Sequence, residues 1–167
     1  VFIDLGRRSY GVTGESDKHA QSHNILTIDG IPPYPENKPY YSEEFRKIVT
    51  GSGPIWRGNF DNINVETRCF SRINGIGVWQ RRWQFSDTEV TIFDTIECNG
   101  RHKILRYFHT NHSVRNCDGD VTFGPFKVSG SGKPVLETTK YWKSYGKSED
   151  AMTIIFSDVV SLPSSLS

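Results

Sequence analysis

The chain has 167 residues, 35% hydrophobic and 13% aromatic, which is enough to enclose a core and too apolar for a disordered segment. Its formal charge of +1 and pI near 7.9 supply no general attraction to nucleic acid or to an acidic membrane surface. No apolar run reaches the roughly 18 residues of a membrane-spanning helix, so neither nucleic acid nor membrane is expected as a partner.

The chain opens on a short apolar run, Val1-Phe2-Ile3, that ends at Asp4 just before Gly6. It lacks an initiator Met and starts in a strand-like stretch, so it is expected to be a C-terminal piece of a longer protein. Residues 7–21 are polar, carry Gly11 and Gly14 and follow no period, which predicts a loop of the length that often serves function. Ser22-His23-Asn24 then leads into Ile25-Leu26-Thr27-Ile28, a short strand, and Asp29-Gly30, a turn. His23 is placed at the mouth of that strand. An imidazole there can meet a ligand or a carboxylate, or simply end the strand as an ordinary hydrogen-bonded residue.

Four prolines within residues 31–39 forbid regular pairing and predict an extended surface crossing. Residues 42–47 suit one helical turn capped by Ser42. From residue 64 the chain becomes a series of β-rich runs: 64–73, 78–85, 89–98, 103–109, 121–128, 135–140 and 152–156. Asn74-Gly75, Ser86-Asp87, Asn99-Gly100, Asp118-Gly119 and Ser131-Gly132 separate them, and Asn99-Gly100 is expected to join two adjacent strands. No longer segment shows a helical apolar stripe. The expected fold is all-β, an antiparallel β-sandwich of short strands forming a single domain over residues 1–167, with a frayed tail at 162–167.

Cys69, Cys98 and Cys117 are odd in number and lack the spacing of a thiolate metal site, and Cys98 falls in phase with Val90, Ile92 and Ile96 as a small buried residue. His109 and His112 make a His-x-x-His pair, but on a strand that spacing does not bring both rings to one side. Arg7, Arg8, Arg81 and Arg82 can form paired hydrogen bonds with carboxylate or sulfate groups; solubility is the plain alternative and is preferred for Arg81. Tyr40, Tyr41 and Trp56 can stack on sugar rings, although core packing is the commoner fate of aromatic residues.

Asp4-Leu5-Gly6, Tyr10-Gly11, Ser22-His23-Asn24 and Asp29-Gly30, in that order, resemble the heparinase II/III-like polysaccharide lyases, with Ile25 standing where that family usually has Thr. The resemblance extends through Trp79-Gln80-Arg81-Arg82, Val90-Thr91-Ile92-Phe93-Asp94, Tyr107-Phe108-His109 and Ser144-Tyr145-Gly146. It implies the β-sandwich portion of a lyase that acts on acidic polysaccharides by β-elimination, with a helical toroid preceding it in the same chain. The parent is then expected to be periplasmic or secreted, and this portion, which matches none of the family's toroid residues and is expected to lack its first strands, is expected to be inactive alone with no catalytic residue of its own. The resemblance further implies that Asp4 and His23 are two ligands of a structural zinc. Arg7, Arg8, Tyr10 and Asn24 become its candidate substrate contacts. A noncatalytic carbohydrate-binding or structural β-sandwich is the alternative function.

Overall fold

A computed structural model describes residues 2–9, 16–35, 43 and 53–161. The chain divides into two compact units, one formed by Val1–Pro32 with Lys103–Asp158 and the other by Pro33–His102 with Val159–Ser167. Eleven strands appear among the described residues, and every strand pairing with a defined register is antiparallel. The fold is therefore of the all-β, antiparallel sandwich class that the turn spacing predicts.

In the first unit β1 (Leu26–Ile28), β6 (His102–Thr110), β11 (Lys147–Val160) and β10 (Val135–Ser144) form a sheet in the order β1-β6-β11-β10. Its alternation assigns two different faces. Leu26, Ile28, Ile104 and Ile154 are fully buried on one of them, where Phe108 meets Phe156 edge-on and Phe2 packs on Phe108. Each such side chain contributes about 1.5–3 kcal/mol by leaving water. The opposite face carries Thr27, Leu105, Tyr107, His109, Thr153 and Glu137, a polar set that the candidate site uses. A three-stranded meander of β7 (Val114–Cys117), β8 (Asp120–Phe123) and β9 (Phe126–Val128) adds Val121 and Phe123 to the unit's buried residues.

Two of the turns behave as their residues dictate. Asp29-Gly30 and Asp118-Gly119 have positive φ at both positions, the backbone that a two-residue hairpin needs and that Asp-Gly tolerates. The first closes Ile28 on Ile31, and the second joins β7 to β8.

The second unit is a sheet in the order β2-β3-β4-β5, from β2 (Ile55–Asn59), β3 (Asn62–Thr67), β4 (Ile76–Phe85) and β5 (Val90–Cys98). Here Arg81 is not a surface charge. It is 5% exposed and grips Asp94, 2% exposed, through Nε to Oδ1 at 2.7 Å and Nη2 to Oδ2 at 2.9 Å. Trp79 donates its indole N–H to the same carboxylate at 2.9 Å, and the guanidinium lies over the rings of Trp79 and Trp83. The pair is retained in the interior because both charges are hydrogen-bonded and the cation rests on aromatic faces. Arg82, the next residue, points to the other face of the strand and sits 4.6 Å over Phe93.

Several boundaries differ from expectation. The run expected at 64–73 stops at Thr67, after which Cys69, Phe70 and Ile73 are buried in consecutive turns rather than paired in a strand. Asn99-Gly100 does not join paired neighbours, since β5 and β6 belong to different sheets. Asn99 instead gives its N–H to the Gly75 carbonyl and accepts from His102 Nε2, which turns the chain away from a hairpin. The run 121–128 is two strands, broken at Gly124-Pro125. Cys98 is half-buried, and Trp56, 71% exposed, is no core residue. The prolines of 31–35 do leave the chain unpaired beyond Ile31. Of the helical turn expected at 42–47 only Glu43 is described, and it is helical; the tail 162–167, Tyr10, Tyr40 and Tyr41 lie outside the described residues.

Candidate functional site

The polar face of the first unit's sheet is approached by the N-terminal segment, and a single asparagine ties the two together. Asn24 donates from Nδ2 to the Ile3 carbonyl at 2.9 Å and accepts on Oδ1 the backbone N–H of His109 at 2.8 Å. Ile3 in turn gives its N–H to the His109 carbonyl at 2.9 Å. With both ends of its amide engaged by backbone, Asn24 acts by holding Asp4, His23 and His109 in one neighbourhood.

Asp4 is set by a local turn. Its Oδ1 accepts the N–H of Gly6 at 3.0 Å, and its Oδ2 faces His23 Nδ1 at 2.5 Å across 19 residues of sequence. Gly6 is obligatory at this bend for two reasons. Its φ is +71°, and a Cβ there would lie 2.3 Å from the Trp142 carbonyl oxygen, to which the bend is pressed. Trp142 donates to the Leu5 carbonyl at 2.7 Å and Gly146 to that of Arg8 at 3.2 Å, so the segment carrying Asp4 is zipped onto the β10–β11 hairpin. The Asp4–His23 pair itself is open to water, with side-chain exposures of 57% and 42%. An exposed ion pair of this kind stabilises by at most about 1 kcal/mol.

His109 is the opposite case. It is fully buried, its Nδ1 is 3.0 Å from the Thr153 hydroxyl, and its Nε2 has no hydrogen-bond partner. Desolvation dominates its ionisation and lowers its pKa from 6.5 to about 4, against the pull of the His23 and Gln21 carbonyls and of the Asp4 carboxylate; His23 itself opposes the charge. The neutral imidazole is anchored at Nδ1 by Thr153 and enclosed at Nε2. As the His-x-x-His spacing on a strand implies, His109 and His112 do not converge: His112 stacks on Phe123 and lies against Gly124. The usable signal was alternation, which puts His109 on the same side of β6 as Tyr107.

The arginines divide. Arg8 is exposed and its backbone N–H is held by Asp17 Oδ2 at 2.7 Å; Arg7 is half-buried. Arg8 thus lies at the surface beside the Asp4 bend, Arg7 has its Nε and Nη2 enclosed, and Arg81 is buried in the other unit.

Among the described residues no three His, Cys, Asp or Glu side chains stand close enough together to hold a metal ion. Asp4 and His23 offer two donors in contact, a carboxylate oxygen and an imidazole nitrogen, fewer than the three or four protein ligands of a zinc site.

No protein-family model matches the chain, and no curated protein does. Solved structures do: two of a heparinase III, one with methylated lysines, superpose with TM-scores of 0.66 and 0.67, the higher being the methylated form. Each is 17% identical to this chain over 99% of its length. The chain spans 26% of the length of those structures, and the likeness establishes a shared, heparinase-like fold.

Proposed function

We propose that the chain is the β-sandwich portion of a polysaccharide lyase that cleaves acidic, uronate-containing polysaccharides by β-elimination, contributing to the substrate cleft and holding a structural zinc. The observation that carries this reading is the superposition of 99% of the chain on two heparinase III structures. The order of Asp4-x-Gly6, His23-Asn24 and Tyr107-Phe108-His109 supports it from the sequence side.

β-Elimination removes the proton beside a uronate carboxylate and expels the glycosidic oxygen. It needs a cation to neutralise the carboxylate, a base and an acid. In this reading the acid and base belong to a helical domain upstream in the same chain, and none is assigned to these residues. Arg8, which is exposed, supplies the cation at the rim, because a guanidinium meets a carboxylate or sulfate through two parallel hydrogen bonds, and Arg7, with Nε and Nη2 enclosed, adds its charge from behind. Tyr10 is the third proposed contact and Asn24 the residue that positions the loop.

Asp4 and His23 would be the two ligands that these residues offer to a structural zinc, tying the N-terminal segment to the start of β1. Asn24, bonded to Ile3 and to His109, holds the segment that carries them. The test is to compare the parent protein with this chain on a panel of uronate polymers, following ultraviolet absorbance of the new double bond. Release of unsaturated products by the parent alone is expected; release by this chain alone, or by neither, overturns the reading.

A further inference from the structure

Two Asn-Gly dipeptides take no part in the functional reading, and the second unit sets them against each other, one just before Ile76 and one just after Cys98, which are paired across β4 and β5. Asn99 donates its N–H to the Gly75 carbonyl at 2.6 Å. Their surroundings differ. Asn74-Gly75 is locked: Ile76 donates to the Ile73 carbonyl at 3.1 Å, closing a turn around the dipeptide, and a Cβ on Gly75 would lie 2.4 Å from the Asn99 carbonyl oxygen. Asn99 and Gly100 are exposed, and the Gly100 N–H meets no backbone carbonyl among the described residues. A Cβ on Gly100 would have only His102 Nε2 within 4 Å, at 3.8 Å.

His102 is the informative neighbour. Its Nε2 lies 3.0 Å from the Asn99 carbonyl oxygen and, because a carbonyl only accepts, presents an N–H there. The residue is 9% exposed, so water competes little for that bond. The oxygen it touches belongs to the peptide bond whose nitrogen is that of Gly100. When that nitrogen loses its proton, amide resonance spreads the negative charge onto this oxygen. A donor already aimed at it stabilises the charge as it develops. Glycine, without a side chain, leaves the same nitrogen unhindered for attack on the preceding asparagine, and asparagine is a thermolabile residue.

We infer that Asn99 is a self-modification site, converted through a cyclic imide to aspartate and isoaspartate, with His102 as the residue that activates the Gly100 nitrogen. The Gly100 nitrogen attacks Asn99 Cγ: the N–Cγ bond forms, the Cγ–Nδ2 bond breaks, and the Gly100 proton departs with the amide nitrogen as ammonia. Solvent water then opens the imide at either carbonyl, and no electrons enter or leave. The product carries a new carboxylate and, in the isoaspartyl form, one extra backbone methylene. Both fall between β5 and β6, where the chain passes from the second compact unit to the first. The inference stands apart from the lyase reading, and its test needs only the chain itself.

The chain should be aged in neutral buffer, with and without urea, and Asn99 and Asn74 followed by peptide mapping and mass spectrometry, isoaspartate being measured by enzymatic methylation. In the folded chain Asn99 is expected to convert about tenfold or more faster than Asn74, the effect of one hydrogen bond that strengthens in the transition state. In urea the two should convert alike. His102→Leu should slow Asn99 about tenfold and leave Asn74 unchanged, and His102→Gln, which returns an N–H toward the same oxygen, should restore most of the rate. Asn74 reports folding in both variants, since unfolding would bring it to its rate in urea. A histidine that merely anchored the turn would give the opposite sign, because its removal would free Gly100 and speed the reaction. Equal conversion of the two asparagines in the unaltered folded chain, or an Asn99 that keeps or gains rate when a folded chain loses His102, overturns the assignment.

Discussion

Acidification should unload the stability that the buried His109 contributes, and the size of the effect follows from its pKa. The ring is neutral in the folded chain because burial opposes its charge, with a pKa of about 4 against 6.5 for a free histidine. The unfolded chain therefore takes up the proton first as pH falls. Stability from this group is complete above the unfolded value and is lost between about 6.5 and about 4, amounting to about 3 kcal/mol at most. The groups facing the ring are the Asp4 carboxylate, the carbonyls of His23 and Gln21 and the His23 imidazole, and their net pull is already contained in that value. Urea denaturation across this pH window, in chelator, should be run on the chain and on His109→Leu. The variant loses the Thr153 contact and is expected to be about 1–2 kcal/mol less stable near neutrality. Other carboxylates titrate alike in both chains, so the difference between them isolates His109. The gap should close and then reverse as pH approaches 4. Two parallel curves would refute the assignment of a neutral, desolvated imidazole at this position.

Zinc should raise the melting temperature of the chain, by about 2.7 kcal/mol of stability at a hundredfold excess over its dissociation constant, and Asp4→Ala and His23→Ala should each remove that rise; a melting temperature indifferent to zinc argues against the site. Arg81→Met should cost about 3–5 kcal/mol in urea melts by leaving Asp94 buried and uncompensated, whereas Arg81→Met with Asp94→Leu should recover most of it. Gly6→Ala should cost about 1–3 kcal/mol through a strained backbone and a blocked approach to Trp142. Hydrogen exchange at the Trp142 and Gly146 amides should then accelerate while Val121 in β8 keeps its protection, and uniform acceleration would contradict a local role.

The class of fold was legible because strand chemistry is local. Alternation in residues such as Leu26 to Ile28 and Ile104 to Phe108 marks a half-buried strand, and Asp29-Gly30 and Asp118-Gly119 mark turns through their backbone freedom alone. What escaped the sequence was non-local or polar. The edge strand β2 has every residue exposed and so shows no apolar face, and β10 and β11 run on to Ser144 and from Lys147 through Lys, Ser, Glu and Asp that no hydrophobic pattern reveals. Arg81 looked like a surface cation because its partner Asp94 lies 13 residues on, across a strand pair whose register the sequence does not state.

The same reasoning separates the two halves of the candidate site. Asp4 and His23 were legible as a pair because Asp4 ends one apolar run and His23 begins another on either side of one loop, and a loop that returns the chain antiparallel brings such ends together. His109 enters through its backbone, tied to Asn24 across 85 residues, and no periodicity encodes that contact. An exposed imidazole would satisfy its free nitrogen with water, whereas His109 Nε2, enclosed and without a partner, leaves an uncompensated desolvation cost of about 1–3 kcal/mol. Its place beside Asp4 and His23 is therefore held by backbone bonds through Asn24 and Ile3 and not by its own ring, which is why the sequence shows the two outer residues and hides the enclosed one.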